Sequence, residues 1–388
     1  MRVAHFISGI DARAGGPAVA VAGLVTAQRR AGIEVALVAC AKIGYGQDLS
    51  AGLSDAGATV GVLHDCRGPL MRHPRLAGVV DAAVADADVV HIHGLWEQIQ
   101  HDAARAAQQR NKPYLFTAHG MLTRWSMGQK ALKKRMYLAW RLRGDLRGAA
   151  AIHYTSGAER DDLSAHVKVD RPALIEPLGV DLGEFASLPP RGTFRAKFGE
   201  TAGKKIVLFL GRIHRGKGLE YLVPAFAGAK LNDAILVAVG PDSGGFRGEI
   251  ERLAERHAVR GRMLFTGMLR GRQRLEALVD ADLFALPSEH ENFGIVVVEA
   301  LACGVPVIVS DGVAIHGEIA DARVGGVVRA RDVAALTRIL KQWIQDDALR
   351  AAASAGARQL VQRRFDWNAI AQRWTDHYRR LIDHEART

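Results

Sequence analysis

Short unbroken apolar runs, each closed by glycine or polar turn residues and followed by helix-spaced apolar positions, recur along this chain. The first is Val3-Ala-His-Phe-Ile7, followed by a loop with Gly15-Gly16-Pro17 and a segment with Val19, Leu24 and Val25 on one helical face, ending near Gly32. Glu34 to Ala39 is the next run. A continuous apolar run of this length predicts a strand buried on both faces, and strand, glycine loop, helix and strand within about 35 residues make one βαβ unit. Further strands are expected at 89–92, 114–117 and 150–154. The first lobe is therefore read as α/β with a parallel sheet.

From Asp181 to Lys205 the periodicity breaks around Pro189-Pro190 and several glycines, and it restarts with Ile206-Val-Leu-Phe-Leu210. Strands are then expected at 234–239, 263–265, 283–286 and 307–309. The organisation that follows is a first domain over 1–182, a linker over 183–204 and a second domain over 205–365. A closing helical segment, 366–388, carries Trp367, Trp374 and Tyr378 and is expected to pack back on the first domain. Two Rossmann-like, doubly wound parallel sheets bind ligands at the carboxyl ends of their strands, which here are expected to face one interdomain cleft.

A chain of 388 residues suits two such domains. Cys40, Cys66 and Cys303 form no C-x-x-C pair and leave an odd count, so a reducing compartment is expected rather than a disulfide framework. Residues 1–9 lack the apolar core of a signal peptide, and no export is expected. The longest apolar stretch, Phe293 to Val309, contains Glu299 and two glycines and falls short of the roughly 20 apolar residues of a membrane helix. The net charge of +11 points to an anionic partner, whether nucleic acid, a lipid surface or a phosphorylated small molecule.

The densest chemistry lies in Pro287 to Pro306, entered directly from a predicted strand. If a helix starts at about Gly294, its unpaired N–H groups and dipole form a phosphate site. Glu299 then sits about one and a half turns inside, placed to accept hydrogen bonds from a ribose diol, while Glu291 precedes the helix and can meet sugar hydroxyls. Taken singly, Glu299 also reads as an ordinary polar helix residue and Glu291 as a solvated loop charge. The flanking Phe-Gly and Ala-Cys-Gly-Val-Pro favour the functional reading. Upstream, Phe209-Leu-Gly-Arg-Ile-His-Arg-Gly-Lys-Gly218 follows the second domain's first strand, where a glycine turn lets backbone approach an anion and Arg212 and Lys217 can neutralise a diphosphate. The alternative is a solvated basic turn. Neither the Walker loop nor the dinucleotide fingerprint is present, which disfavours a nicotinamide oxidoreductase.

Together, Glu291 and Glu299 seven residues apart, Gly211-Arg212 with Lys217-Gly218, Gly15-Gly16 and Thr117-Ala-His-Gly120 resemble the retaining glycosyltransferases of family 4, whose fold is GT-B. The resemblance spans nearly the whole chain. It implies transfer of a sugar from a UDP- or GDP-linked donor to a glycan or lipid-linked hydroxyl acceptor, with retained anomeric configuration, no metal and no cofactor. By that similarity Arg212 and Lys217 bind the donor pyrophosphate, Glu291 the sugar hydroxyls and Glu299 the ribose, with Gly211, Asn292, Phe293 and Gly294 lining the donor. His119 sits near the sugar, Gly16 lets its loop approach the donor phosphate, and Gly15 belongs to the acceptor side. The proposed route in such enzymes is front-face attack, and no carboxylate is identifiable as a nucleophile for a double displacement. Bacterial polysaccharide or lipid-linked oligosaccharide assembly, in the cytoplasm or on the inner membrane face, is the setting the resemblance implies. Asn292 stands where glycine is common in the family, and Leu178 where asparagine is frequent.

In the first domain, His91 and His93 share one face of a predicted strand, but no third ligand has suitable spacing, so the expected metal count is zero and His93 is read as lining an acceptor pocket. Thr155 to Glu159 follows a strand; the resemblance puts it near the cleft, and helix capping by Ser156 with Glu159 accounts for it equally. Residues 124–147 hold eight basic residues against Asp145, interleaved with Trp125, Leu132, Met136, Tyr137 and Trp140. Two readings stand side by side: a basic amphipathic helix lying on anionic lipid, or a helix with its apolar face in the core. A GT-B epimerase or hydrolase of nucleotide sugars is the alternative activity. A nucleic-acid-binding protein is the alternative class, disfavoured because only this one stretch is dense in cations.

Overall fold

The computed structural model describes residues 1–11, 16–42, 49–164, 167 and 169–385. The chain forms two compact units, one of Met1–Gly179 with Asp366–Thr388, the other of Val180–Phe365.

The first unit is built on a seven-stranded sheet of order β3-β2-β1-β4-β5-β6-β7. Its strands are β1 (Arg2–Ile7), β2 (Glu34–Lys42), β3 (Thr59–Cys66), β4 (Val89–His93), β5 (Tyr114–Thr117), β6 (Ala151–Tyr154) and β7 (Ala173–Ile175). Every pairing is parallel, so both faces must be covered, and two apolar clusters do this. The helix Trp367–Glu385 packs on the helix Gly16–Arg30. Gly23 permits that approach, because a Cβ there would lie 2.3 Å from the Trp367 indole nitrogen.

The second unit carries a six-stranded sheet of order β10-β9-β8-β11-β12-β13. Its strands are β8 (Lys205–Leu210), β9 (Ala234–Val239), β10 (Met263–Gly267), β11 (Leu283–Leu286), β12 (Val307–Ser310) and β13 (Gly325–Val328), again all parallel. The order reverses between β8 and β11 here, and between β1 and β4 in the first sheet, which marks where doubly wound sheets hold ligands.

Residues 183–204, expected as a linker, are structured and grouped with the second unit. Phe194 is buried, and Arg195 bonds the Asp282 carboxylate at 2.9 Å while Asp280 accepts from the Arg195 amide. The stretch 124–147 also departs from expectation, since it is not one helix. Short helices Arg124–Gly128 and Ala131–Tyr137, a π-turn Leu138–Leu142 and the helix Arg143–Gly148 follow one another, with Lys130 left-handed at φ 54° between the first two. Trp125, Leu132, Met136 and Trp140 are exposed, which removes the core-facing reading for these four. Tyr137 is half-buried, its ring edge-on to Trp96.

Candidate active site

In the second unit the site grows from the loops after β8 and β11. The first loop leaves β8 at Gly211, whose carbonyl lies against Gly240: a Cβ at Gly240 would sit 1.9 Å from that oxygen. Arg212 follows, exposed and without an ion-pair partner among the described residues. The turn Gly216-Lys217-Gly218 then enters the helix Leu219–Gly228, with Gly218 at φ +97° and no room for a Cβ beside the Pro287 carbonyl, 2.3 Å away. Contrary to the expectation of a backbone anion site here, the Gly216 and Gly218 amides already donate to the Glu220 carboxylate at 2.6 and 3.1 Å. Arg212 remains available to an anion where those two amides are not, whereas Lys217 is engaged by a carboxylate of the second loop.

The second loop is stitched to the first. Ser288 Oγ donates to the Lys217 carbonyl at 3.2 Å, the Glu289 amide donates to the Gly216 carbonyl at 2.8 Å, and Ser310 Oγ donates to the Ser288 carbonyl. Glu291 is fixed through its backbone to 312–314, and its carboxylate accepts from Lys217 Nζ at 2.5 Å. Sequence positions 74 apart are thus brought into one ion pair, each partner about one-fifth exposed. Gly294, left-handed at φ +84°, caps the helix Ile295–Ala302, whose Val297 amide donates to the Gly294 carbonyl at 2.8 Å. Asn292 is partly exposed beside it. Phe293 is buried with its ring edge-on to Phe365, so its side chain supports the loop rather than lining a ligand.

Glu299 lies one turn into that helix and is buried. Its Oε1 accepts from Arg274 Nη1 at 2.7 Å, and Arg274 also pairs with Glu184 at 3.2 Å. Burial pushes the Glu299 carboxyl up to about 7 against the opposing pull of Arg274, and its Oε2 has no hydrogen-bond partner among the described residues. A buried carboxyl oxygen without a partner is costly unless a ligand hydroxyl supplies one. Arg274 had no signal in the sequence, because only the fold brings 274 to 299.

In the first unit the polar residues gather at the carboxyl ends of β1, β4, β5 and β6. His5 stands beside His91 in register, so a third imidazole does join His91 and His93, from a neighbouring strand rather than by local spacing. Their nearest ring nitrogens all lie within 4.8 Å of one another and all three rings are buried. They are engaged in hydrogen bonds instead of being left open. His5 meets His93 at 2.9 Å and Gln28 at 2.8 Å, Gln28 reaches the Tyr378 hydroxyl at 3.0 Å, and that hydroxyl meets His91 at 2.7 Å. His91 continues to Thr117 at 2.6 Å, Thr117 to His153 at 2.8 Å, and His153 to the Glu176 carbonyl at 2.8 Å. At the other end His93 meets His119 at 3.3 Å.

His119 follows β5 in the left-handed region at φ 48° and is partly exposed. Its loop is held by Glu159, which accepts from the Gly120 amide at 2.5 Å and from the Thr155 amide at 2.7 Å, while Ser156 Oγ accepts from the Glu159 amide. The capping reading and a role in fixing the His119 loop therefore hold at once. Burial lowers His5 and His153 to about 4 and His119 to about 3, and it lowers His91 and His93 well below the usual imidazole range, with the neighbouring histidines adding to the effect. His93 is buried and borders, with His91, Thr117, His119 and His153, a cavity of about 10 Å³, room for about one water molecule. An acceptor pocket at His93 is not open in this geometry. Gly16 begins its helix in the open, and Gly15 lies outside the described residues.

Two doubly wound parallel sheets, each with charged and polar groups collected near the reversal of its strand order, make up a GT-B architecture. Residues 190–360 match the family of glycosyl transferases group 1, and residues 15–177 match the glycosyl transferase 4-like domain. A D-inositol 3-phosphate glycosyltransferase of Xylanimonas cellulosilytica is 30% identical over 311 residues, covering 75% of this chain and 71% of that protein. A phosphatidyl-myo-inositol mannosyltransferase of Mycobacterium leprae is 34% identical over 200 residues, half of each chain. The Anabaena protein HepE, solved in complex with UDP and glucose, superposes with a TM-score of 0.79 at 20% identity, over 97% of this chain and 99% of its own. The matches to the curated relatives thus span from half to about seven tenths of those proteins' lengths. The chain belongs to the glycosyl transferases group 1 family and is a glycosyltransferase of GT-B fold.

Proposed function

We propose that this glycosyltransferase moves a sugar from a nucleoside diphosphate sugar, UDP- or GDP-linked, to a hydroxyl of a glycan or lipid-linked acceptor, with retention and without a metal. The observation that carries the reading is the Lys217–Glu291 pair at the reversal point of the second sheet, with the unsatisfied oxygen of Glu299 on the helix that follows. Departure of a nucleoside diphosphate builds negative charge on the leaving oxygens, and fixed cations stabilise it without reorganisation. Arg212 and Lys217 fill that role, Glu291 takes sugar hydroxyls, and Glu299 takes the ribose. His119 is assigned a sugar hydroxyl, and the departing phosphate oxygen receives the acceptor proton. HepE, crystallised with UDP and with UDP-glucose, supports the donor class, and the inositol-phosphate and phosphatidylinositol transferases support a polar or lipid-linked acceptor.

The test is a thermal-shift screen with UDP, GDP, UDP-glucose and GDP-mannose in the presence of a chelator. A ligand at 100 times its Kd stabilises the folded state by about 2.7 kcal/mol, so one nucleotide series is expected to raise Tm by several degrees. No shift with any of the four would count against the donor class, and a shift abolished by the chelator would count against metal independence.

A second reading concerns where the enzyme works. Leu132, Met136 and Trp140 recur every fourth residue, are all exposed, and stand among Lys130, Lys133, Arg135 and Arg143. Apolar side chains presented from a cationic stretch are what binds an anionic bilayer surface, and no helix of the described residues is long and apolar enough to cross one. Peripheral attachment on a membrane face is the corresponding proposal.

A further inference from the structure

The hydrogen-bond chain in the first unit has a direction, and the direction is dictated by one backbone carbonyl. The Glu176 carbonyl can only accept, so His153 must present N–H to it from Nε2. Burial keeps the chain's imidazoles neutral, leaving His153 Nδ1 bare and obliging Thr117 to donate its single proton there. Thr117 Oγ1 then accepts from His91 Nε2, and His91 Nδ1 must accept from the Tyr378 hydroxyl. With that proton committed, Gln28 must offer its amide N–H to Tyr378 and its carbonyl to His5 Nε2. His5 Nδ1 accepts from His93 Nε2, and His93 Nδ1 accepts from His119 Nε2. Each link admits one arrangement once the preceding link is set.

We infer that this chain locks His119 as the Nε2–H tautomer, with a bare Nδ1 that accepts a hydrogen bond from a ligand hydroxyl, and that Thr117, Tyr378 and Gln28 are positioning residues for that ring. The members from His93 to His153 are buried, and His119 is the one ring of the chain that is partly exposed. Its Nδ1 has no hydrogen-bond partner among the described residues. The contact between His5 Nδ1 and His93 Nε2 is a link of the same chain, so a metal on the three clustered histidines has to break it. That the accepted hydroxyl belongs to the transferred sugar rests on the function proposed above; the tautomer itself does not.

The test is two-bond ¹H–¹⁵N correlation of the full chain labelled with ¹⁵N-histidine, at neutral pH and without ligand, His119 being assigned by loss of its signals in His119→Ala. The expected spectrum shows His119 protonated on Nε2 alone. Protonation on Nδ1 overturns the inference, as does a change of the His5, His91 and His93 signals on addition of a chelator, which identifies a bound metal instead. In Tyr378→Phe the Gln28 amide is free to reverse, so a second His119 signal from the Nδ1–H form is expected. Turnover with UDP-glucose or GDP-mannose, whichever the screen selects, is then expected to fall about fivefold, the size of one neutral hydrogen bond. A single unchanged His119 tautomer in that variant overturns the role of Tyr378. If Tyr378→Phe does not fold, Thr117→Val gives the same readout, and Thr117→Ser, which keeps the hydroxyl, is expected to restore the single tautomer. Full turnover in His119→Ala removes the proposed sugar contact while leaving the tautomer measurement intact, so the two failures are separable.

Discussion

Lys217 and Glu291 hold one another at 2.5 Å when no ligand is present, and any diphosphate that binds Lys217 competes with that carboxylate. The two side chains therefore have separable signatures. Lys217→Ala is expected to fold normally and to lose about 2–3 kcal/mol of transition-state stabilisation, roughly a hundredfold in kcat/KM, as a charge-assisted contact to the leaving group is removed. Glu291→Ala is expected to lose turnover to a similar degree while binding free UDP or GDP at least as tightly as the parent, because Lys217 is released. Weaker nucleotide binding in a Glu291→Ala titration calorimetry experiment would contradict that account, and unchanged turnover in either variant would refute its assigned role. At this scale the sequence was informative where chemistry is carried by local spacing. Glu291, Glu299 and Lys217 stood out from their neighbours in the chain, whereas Arg274, Gln28 and His5 act through residues far away in sequence and had no local mark.

Among the elements, strands with unbroken apolar runs, such as β8 and β9, were legible because both faces are buried. The strand β3 was not, since Gly61, His64 and Asp65 interrupt it and much of it is only partly buried. β7 has only three residues, and β13 opens with two glycines. Gly325 is needed because a Cβ would lie 2.0 Å from the Val307 carbonyl. The same steric logic makes Gly240→Ala a severe substitution: φ is 144° and the added carbon meets the Gly211 carbonyl at 1.9 Å. A loss of about 3 kcal/mol or more is expected, read as a drop in denaturation midpoint, because backbone on both sides has to move. The broken helices of 124–148 make the contrasting prediction. Replacing Leu132, Met136 and Trp140 together with serine is expected to leave Tm within about 2 °C, since surface changes are near neutral, and to abolish co-flotation with phosphatidylglycerol vesicles. Retained flotation would remove this face from the membrane reading.

For the molecule as a whole, the buried imidazoles set a pH limit. His5 and His153 stay neutral in the folded first unit down to about pH 4, and burial holds His91 and His93 well below the usual imidazole range too, whereas the unfolded chain takes up protons below its ordinary value of about 6.5. Their contribution is complete above pH 6.5 and is lost as pH falls toward 4. At pH 5.5 His5 and His153 each cost about 1.4 kcal/mol, roughly 3 kcal/mol together, a sizeable share of the stability of a typical domain, and His91 and His93 act in the same direction. The second unit has no buried histidine among its described residues, so its core lacks this liability. Acid titration followed by hydrogen exchange is expected to open the first unit before the second between pH 6.5 and 5; simultaneous opening at lower pH would contradict it. Two of the groups that order those imidazoles are made on either side of the second unit: Thr117 precedes it, whereas Tyr378 follows all of it. On the ribosome, the sheet of the first unit can emerge and collapse with Gln28 and His91 still lacking their common hydroxyl. The proton order of the nascent histidines is therefore settled only after translation has passed residue 378, so the whole second unit is synthesised before the core of the first is complete.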